Sequence, residues 1–130
     1  MTNFEKSEYW LEISNDDLET AKWLLEGKKL IYCCYLCHQV VEKALKSVVS
    51  YKTKEMPPKI HDLRKLAKIG ELVLKEEDYN LIDVLSPLQI EARYPEYKKQ
   101  MEKTLNYDRV KNIVLETERF LCWIKELLKK

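Results

Sequence analysis

The sequence predicts an all-α fold, an up-and-down helical bundle of four longer helices plus one short helix. The 130 residues include only 2 Gly and 4 Pro, so few residues interrupt helices. Apolar residues recur with the helical period of about 3.6 in several long segments. One domain spanning residues 1–130 is expected, since a chain of this length can bury a sufficient core without metal or disulfide.

The first helix is predicted over residues 7–26. Its apolar and small residues recur in a rhythm of three and four positions, at Leu11, Ser14, Leu18, Ala21 and Leu25. Gly27 follows at a position that favours the end of a helix. The short link to the next helical segment predicts that the first two helices are antiparallel neighbours.

The second helix, over residues 30–51, has an apolar face wide enough to contact several helices at once. This pattern predicts the central helix of the bundle. Its opposite half carries six polar residues: His38, Gln39, Glu42, Lys43, Lys46 and Ser47. The charged loop that follows contains Pro57 and Pro58, which cannot continue a helix.

A short helix is predicted over residues 63–70, with His61 or Asp62 capping its amino end. The fourth helix begins near residue 76, where three acidic residues suit a helix amino terminus. Pro87 predicts that this helix kinks or ends near Ser86, because proline removes a backbone hydrogen bond.

The last helix has the clearest apolar period, from residue 107 to the carboxyl end. Between it and the fourth helix lies a segment, residues 91–97, that contains Arg93, Tyr94 and Tyr97. Proline at position 95 favours an extended conformation for the residue before it, which predicts an interruption there. An arginine and two tyrosines at an interruption are candidates for a contact site.

The four cysteines do not have the spacing of a disulfide framework, and we expect all four to be reduced thiols in the core: Cys33, Cys34, Cys37 and Cys122. The run from Cys34 to His38 matches the haem-attachment pattern C-x-x-C-H only formally. It falls on the apolar arc of a helix, and no signal peptide precedes it. A zinc site needs four ligands, and Cys122 and His61 are the only evident candidates elsewhere in the sequence. We therefore expect no metal and no cofactor.

The composition excludes some classes of function. Lys and Arg number 23 against 22 Asp and Glu, so no global charge draws the chain to nucleic acid or to anionic membranes. No apolar window reaches about 18 residues, and no targeting segment is evident, so a cytoplasmic protein without membrane contact is expected. The common nucleotide-binding and hydrolase signatures, such as the P-loop and G-x-S-x-G, are absent from the sequence.

His38, Glu42 and Lys46 are spaced i, i+4 and i+8 on the second helix. Spacing alone favours a solvated face on which Glu42 pairs with Lys46. The alternative is that Glu42 orients an arginine or a ligand across a cleft. For His61, the type of position favours a helix cap over a general base, which also needs a partner group and a substrate proton.

Arg93, Tyr94 and Tyr97 have the chemistry for a nucleotide, because guanidinium groups match phosphate oxygens and aromatic faces stack on bases. The alternative is that Arg93 lies along the bundle and pairs with a carboxylate on a helix.

Four short motifs occur in order along most of the chain. They are Asp17-Leu18-x-x-Ala21-x-x-Leu24-Leu25, Cys37-His38-Gln39-Val40-Val41-Glu42-Lys43-Ala44-Leu45-Lys46, Pro58-x-x-His61-Asp62-Leu63-x-x-Leu66 and Ala92-Arg93-Tyr94-Pro95. With these motifs the chain resembles the HEPN domain family (higher eukaryotes and prokaryotes nucleotide-binding). The resemblance implies an up-and-down helical bundle, frequently a homodimer, with a cleft near the last motif.

Members of the family that this chain resembles include ribonucleases, some of them toxins of toxin-antitoxin pairs, with an arginine followed four to six residues later by a histidine. Others are non-catalytic companions of small nucleotidyltransferases or nucleotide-binding modules. Arg93 matches the arginine of the ribonuclease pattern, but no histidine occurs between it and Gln100. The resemblance therefore favours nucleotide or RNA binding over cleavage.

The expected site combines Arg93 on phosphate, Tyr94 or Tyr97 on a base, and Glu42 and Lys46 beside the cleft, with Glu42 orienting Arg93. Such a nucleotide- or RNA-binding module can be the toxin-like member of a toxin-antitoxin pair with a nucleotidyltransferase. One alternative is a non-catalytic protein-interaction partner of a small nucleotidyltransferase. A further alternative is a ribonuclease in which His61 or Tyr97 replaces the missing histidine, with Arg93 and His61 as the candidate catalytic residues.

Overall fold

The computed structural model describes residues 2–88 and 95–129, without the side chains of residues 95, 97 and 98. Six helices and no strand occur in these residues, which confirms the all-α bundle. The helices are α1 (Asn3–Glu26), α2 (Leu30–Thr53), α3 (Leu63–Ile69), α4 (Glu76–Leu85), α5 (Pro95–Thr104) and α6 (Tyr107–Leu128). None of the described helices is both long and apolar enough to cross a membrane.

Helix α1 begins at Asn3, earlier than the predicted residue 7, because Thr2 and Glu5 form a capping box. The Thr2 hydroxyl accepts a hydrogen bond from the Glu5 backbone N–H at 3.1 Å. At the other end, the Gly27 N–H donates to the Trp23 carbonyl at 3.0 Å and closes the last turn. Helices α1 and α2 then pack against each other in the most extensive contact of the bundle.

Helix α2 is the central helix, as predicted. Fifteen of its 24 residues are buried, and it contacts each of the other five described helices. Its burial extends beyond the apolar arc to both flanks, because neighbours cover it from several directions. The other helices therefore place their side chains around a single axial element.

Helix α3 is capped at its amino end and approaches α2 closely at its carboxyl end. The Asp62 carboxylate caps it by accepting from the Lys65 N–H at 3.1 Å, so Asp62 and not His61 is the capping residue. At Gly70 an added Cβ would lie 3.1 Å from Val48 Cγ1, which shows how closely the end of α3 approaches α2. The helix that follows, α4, ends at Leu85, as Pro87 predicted.

Helix α5 was not predicted, and it begins at the proline that was expected only to interrupt the chain. Proline is well suited to the first position of a helix, where its missing N–H would have no partner in any case. The helix consists largely of charged and polar residues, with Met101 buried. With so few apolar residues its period could not be detected in the sequence.

A buried carboxylate joins α4 to α6. One oxygen of Asp78 accepts from the Lys75 N–H at 3.0 Å and caps α4. The other oxygen accepts from Arg119 Nη1 at 3.0 Å. Asp78 is therefore both a helix cap and an interhelical ion-pair partner.

Candidate functional site

The polar stripe of α2 is buried, so the expected solvated face is wrong. His38 is 0%, Glu42 2% and Lys46 7% exposed. Trp10 of α1 lies beside Lys46, and His61 from the loop between α2 and α3 contacts Glu42. Elements distant in sequence thus contact this stripe. The i, i+4 spacing by itself would equally fit an ion pair on the surface.

Glu42 is the centre of this arrangement. Its Oε2 accepts a hydrogen bond from Lys46 Nζ at 3.1 Å, and its Oε1 lies 2.9 Å from His61 Nδ1. His38 Nδ1 is farther away, at 3.7 Å from Oε1. Burial of the Glu42 carboxylate costs free energy because it removes the charge from water. The contacts with Lys46 and His61 are the closest ones and offset most of this cost.

The imidazole of His61 contacts the buried Glu42 carboxylate through one of its two ring nitrogens, Nδ1. Because a carboxylate can only accept, Nδ1 carries the proton that points to Glu42, and neutral imidazole then has a bare Nε2. The His61 side chain is 54% exposed, and Nε2 has no hydrogen-bond partner among the described residues. The predicted capping role is wrong for His61, whose contact is with Glu42.

His38 has the opposite environment. Burial is the main cause that lowers its pKa to about 4, and the charges of His61 and Lys43 act in the same direction, while Glu42 opposes them. Neither ring nitrogen has a hydrogen-bond partner within the described part of the chain. His38 is therefore a neutral, packed imidazole near neutral pH.

A cleft of about 500 Å³ opens beside Lys46; we call it the Trp10 cleft. It lies between the first turns of α1, the carboxyl-terminal half of α2 and the loop between α2 and α3. Its lining consists of Lys6, Tyr9, Trp10, Lys46, Ser50, Met56, Pro57 and Lys59. Lys46 Nζ lies 5.7 Å from the centroid of the Trp10 ring, a cation–π distance.

The charge in the Trp10 cleft is one-sided. Three lysines line it and no carboxylate does. Lys6 and Lys59 form no ion pair with any described residue, and the Ser50 hydroxyl is buried without a hydrogen-bond partner in the described structure. The cleft can therefore accept a negatively charged group together with an aromatic one.

Sequence reasoning identified Lys46 in this cleft but missed Tyr9, Lys6 and Lys59. These residues come from two segments that no local motif connects. The sequence pattern did not single out Trp10 either, which is partly buried on α1 and lines the cleft. The only sequence signal was the presence of cations and aromatic residues in separate elements.

Part of the predicted site lies outside the described residues. This is the case for Arg93 and Tyr94, and for the side chain of Tyr97, whose backbone belongs to α5. The relation of Glu42 to Arg93 therefore stays a prediction. Among the described residues, Lys46 and His61 are the hydrogen-bond partners of Glu42.

The cysteines divide into a buried group and one exposed residue. Cys33, Cys34 and Cys37 are buried free thiols, as expected, but Cys122 is exposed and that part of the prediction is wrong. Burial raises the pKa of Cys34 to about 12. In the part of the chain that the structure describes, no group of three or more His, Cys, Asp or Glu residues is arranged to hold a metal ion.

Known proteins resemble this chain in sequence pattern and in fold. The model of the HEPN domain matches residues 7–127. TT1696 from Thermus thermophilus superimposes with a TM-score of 0.77 at 18% identity, over 93% of this chain and 97% of that one. ST0689, an archaeal HEPN homologue, has a TM-score of 0.64 at 19% identity, over 94% and 97% of the two chains. No curated protein matches the chain. Since the HEPN model covers nearly the whole sequence, the chain belongs to the HEPN domain family.

Proposed function

We propose that the protein binds a nucleotide or a short single-stranded RNA segment in the Trp10 cleft. The observation that carries this proposal is the combination of two aromatic side chains and three lysines in one concave surface without a carboxylate. Aromatic faces stack on any base, and lysines attract phosphate. This is the chemistry that non-specific recognition of nucleotides requires.

Each part of the cleft has a separate role in the proposal. Lys6 and Lys59 have no carboxylate partner in the described structure, so their ammonium groups are available to phosphate. Trp10 or Tyr9 stacks on the base.

Lys46 has a different role because Glu42 already holds it. The pair fixes the Lys46 ammonium at the wall of the cleft, 5.7 Å from the centroid of the Trp10 ring. This refines the expectation that Glu42 and Lys46 flank a binding cleft. The carboxylate positions the lysine from within the bundle.

Arg93, Tyr94 and Tyr97 stay in the proposal as a second set of contacts that rests on their chemistry and on the family resemblance. Arg93 would bind a phosphate and a tyrosine would stack on a base. RNA longer than one nucleotide could engage both sets. A mononucleotide and an oligonucleotide therefore distinguish a single site from an extended one.

The experiment is fluorescence anisotropy with a labelled single-stranded RNA oligonucleotide and with a labelled nucleotide at fixed salt. Lys6→Ala and Lys59→Ala should each raise the Kd by about tenfold, as loss of a charge-assisted contact predicts. Trp10→Ala should raise it by roughly tenfold or more through lost stacking. Lys111→Ala is the matched control, since Lys111 is exposed on α6 and does not line the cleft.

Arg93→Ala tests the second set in the same assay. Weaker RNA binding in this variant supports the predicted role of the arginine, and unchanged affinity removes Arg93 from the site. If Lys6, Lys59 and Trp10 variants all bind like the Lys111 variant, the Trp10 cleft is not the binding site. No measurable binding by the unmodified protein at low salt would contradict the proposal as a whole.

A second candidate function is that of a protein partner for a small nucleotidyltransferase, in a toxin-antitoxin pair or otherwise, with the chain itself a homodimer. A groove between α4 and α6 favours it, because Val84 is exposed there beside Leu81 and Ile113. Co-expression and co-purification with a small nucleotidyltransferase encoded by a neighbouring gene test this candidate. Val84→Glu should abolish such a complex, while the same change at the exposed Val73 should not; capture unaffected by Val84→Glu would exclude this groove.

A further inference from the structure

We infer that binding of RNA in the Trp10 cleft draws a proton onto His61, so that the affinity of this site is regulated by pH through the buried Glu42 carboxylate. The inference rests on the proposed function, because it needs an anionic ligand in that cleft. His61 does not line the cleft and need not touch the ligand. The coupling passes through Lys46, which lines the cleft and also contacts Glu42.

The first observation is that Glu42 is shared between the cleft and the loop before α3. Its Oε2 accepts a hydrogen bond from Lys46 Nζ at 3.1 Å, and its Oε1 lies 2.9 Å from His61 Nδ1. The Glu42 side chain is only 3% exposed, so water and salt screen these two contacts weakly. A change of charge beside Lys46 is therefore felt at the imidazole of His61.

The second observation is that the His61 imidazole can gain a proton without losing a contact. Nδ1 already donates to Glu42, and Nε2 has no hydrogen-bond partner among the described residues. Because half of the side chain is exposed, solvent reaches the ring and can deliver a proton to it. Protonation then turns the hydrogen bond to Glu42 into an ion pair at the same distance.

The direction of the coupling follows from the charges. In the free protein, Lys46 and a protonated His61 both face the single negative charge of Glu42, and the two cations repel each other. A phosphate in the cleft attracts the Lys46 ammonium and offsets its charge. Glu42 then stabilises the imidazolium more strongly. The bound state therefore takes up a proton, and a lower pH favours binding.

The other titratable groups of α2 do not account for such a coupling. His38 Nδ1 lies 3.7 Å from Glu42 Oε1, but burial lowers the pKa of His38 to about 4, so this imidazole stays neutral near neutral pH. Lys43 is paired with Asp17 of α1 at 2.9 Å. This leaves His61, of the 2 histidines in the sequence, as the imidazole that can gain a proton near neutral pH.

The loop and the other helices add few charges around His61. Lys59 precedes it by two residues and lines the Trp10 cleft, so it acts on the ligand side of the coupling. Asp62 follows His61 directly, but its carboxylate caps α3 by accepting from the Lys65 N–H. Within the described residues, no charged side chain of α1, α4, α5 or α6 forms an ion pair with His61. Glu42 is therefore the group through which the ligand acts on this imidazole.

The experiment measures the Kd of a single-stranded oligouridine by fluorescence anisotropy from about pH 6 to about pH 8 at constant ionic strength. The RNA has no terminal phosphate and carries a dye that does not titrate, so a pH dependence comes from the protein. We expect the Kd to rise about fivefold from the lower to the higher pH, since by reciprocity the ligand strengthens proton binding by the same factor. Calorimetry in two buffers of different ionisation enthalpy should show net proton uptake on binding.

His61→Asn is the decisive variant. Its amide can still donate a hydrogen bond to Glu42 but does not titrate, and the position is half-exposed, so the variant should fold. Its Kd should not depend on pH and should match that of the unmodified protein at the higher pH, without proton uptake. Glu42→Gln keeps an acceptor for Lys46 but removes the shared charge, and it should lose most of the pH dependence as well. Lys111→Ala is the matched control and should keep the full change.

The outcomes separate this inference from the proposed function. RNA that binds in the Trp10 cleft with a Kd independent of pH overturns the inference and leaves the binding proposal intact. The same holds if His61→Asn or Glu42→Gln keeps the pH dependence of the unmodified protein. Absence of RNA binding at every pH overturns both. Loss of pH dependence and of proton uptake in His61→Asn, with affinity retained at the higher pH, supports the coupling through Glu42.

Discussion

The Glu42 carboxylate lies 2.9 Å from the imidazole of His61, although the two residues are 19 positions apart and one is buried while the other is half-exposed. This contact ties the loop after α2 to the centre of the bundle. Lys46 on the second carboxylate oxygen makes it part of a three-residue network. The position of this loop and the packing of α2 therefore depend on the same three side chains.

Removal of Glu42 should destabilise the fold. Glu42→Ala leaves the Lys46 ammonium 7% exposed and without its carboxylate, and we expect the free energy of unfolding to fall by roughly 3 kcal/mol. Urea denaturation followed by circular dichroism measures this loss. The double variant Glu42→Leu with Lys46→Met should recover most of it, because an apolar pair of similar size replaces both charges. A single variant as stable as the unmodified protein would show that the pair contributes nothing.

His38 should make stability depend on pH. Its folded pKa of about 4 lies below the ordinary value of 6.5 because it is buried, so the unfolded chain binds more protons between these values. The free energy of unfolding therefore falls as the pH drops from about 6.5 to about 4, by roughly 3 kcal/mol in total, and this residue contributes no dependence at higher pH.

The measurement for His38 is urea denaturation at several pH values for the unmodified protein and for His38→Leu. The variant cannot titrate at this position, so its stability should fall less steeply over the same interval. The difference between the two curves isolates His38 from the carboxylates, which titrate in both proteins. Parallel curves would contradict the buried, neutral state of this imidazole.

Asp78 should be more important for stability than the surface ion pairs. Asp78→Ala removes both the cap of α4 and the partner of Arg119, and we expect a loss of roughly 2 to 3 kcal/mol. Arg64→Ala is the matched control, since Arg64 pairs with Asp83 on the surface with both side chains more than half exposed. Its cost should stay below about 1 kcal/mol. Equal losses in thermal or urea denaturation would contradict the distinction.

The cysteines should differ in reactivity. Cys122 is exposed, whereas the other three thiols are buried, and burial raises the pKa of Cys34 to about 12. A thiol-reactive aromatic disulfide should therefore modify one thiol per folded chain quickly and the rest only on unfolding. Cys122→Ser should remove the fast phase. A second fast thiol in that variant would show that the core opens around α2.

Much of the fold was determined by the sequence itself. The apolar periods of α1, α2 and α6, and breakers such as Gly27 and Pro87, act locally, so helices and their ends follow from residues a few positions apart. Helix α5 escaped prediction because its stability depends little on an apolar stripe that could be recognised. Pro95 was correctly predicted to lie at a helix boundary, but it begins a helix and does not merely interrupt the chain.

Only the tertiary structure decided which polar residues form the site. Spacing could not distinguish a solvated Glu42 from a buried one, because the i, i+4 contact with Lys46 is the same in both cases. Trp10 contacts Lys46 and His61 contacts Glu42, and both come from other elements. The sequence by itself determined where the helices run, since that is encoded by neighbours along the chain. The Trp10 cleft and the contact between Glu42 and His61 depend on packing between distant segments, and only the folded bundle brings them together.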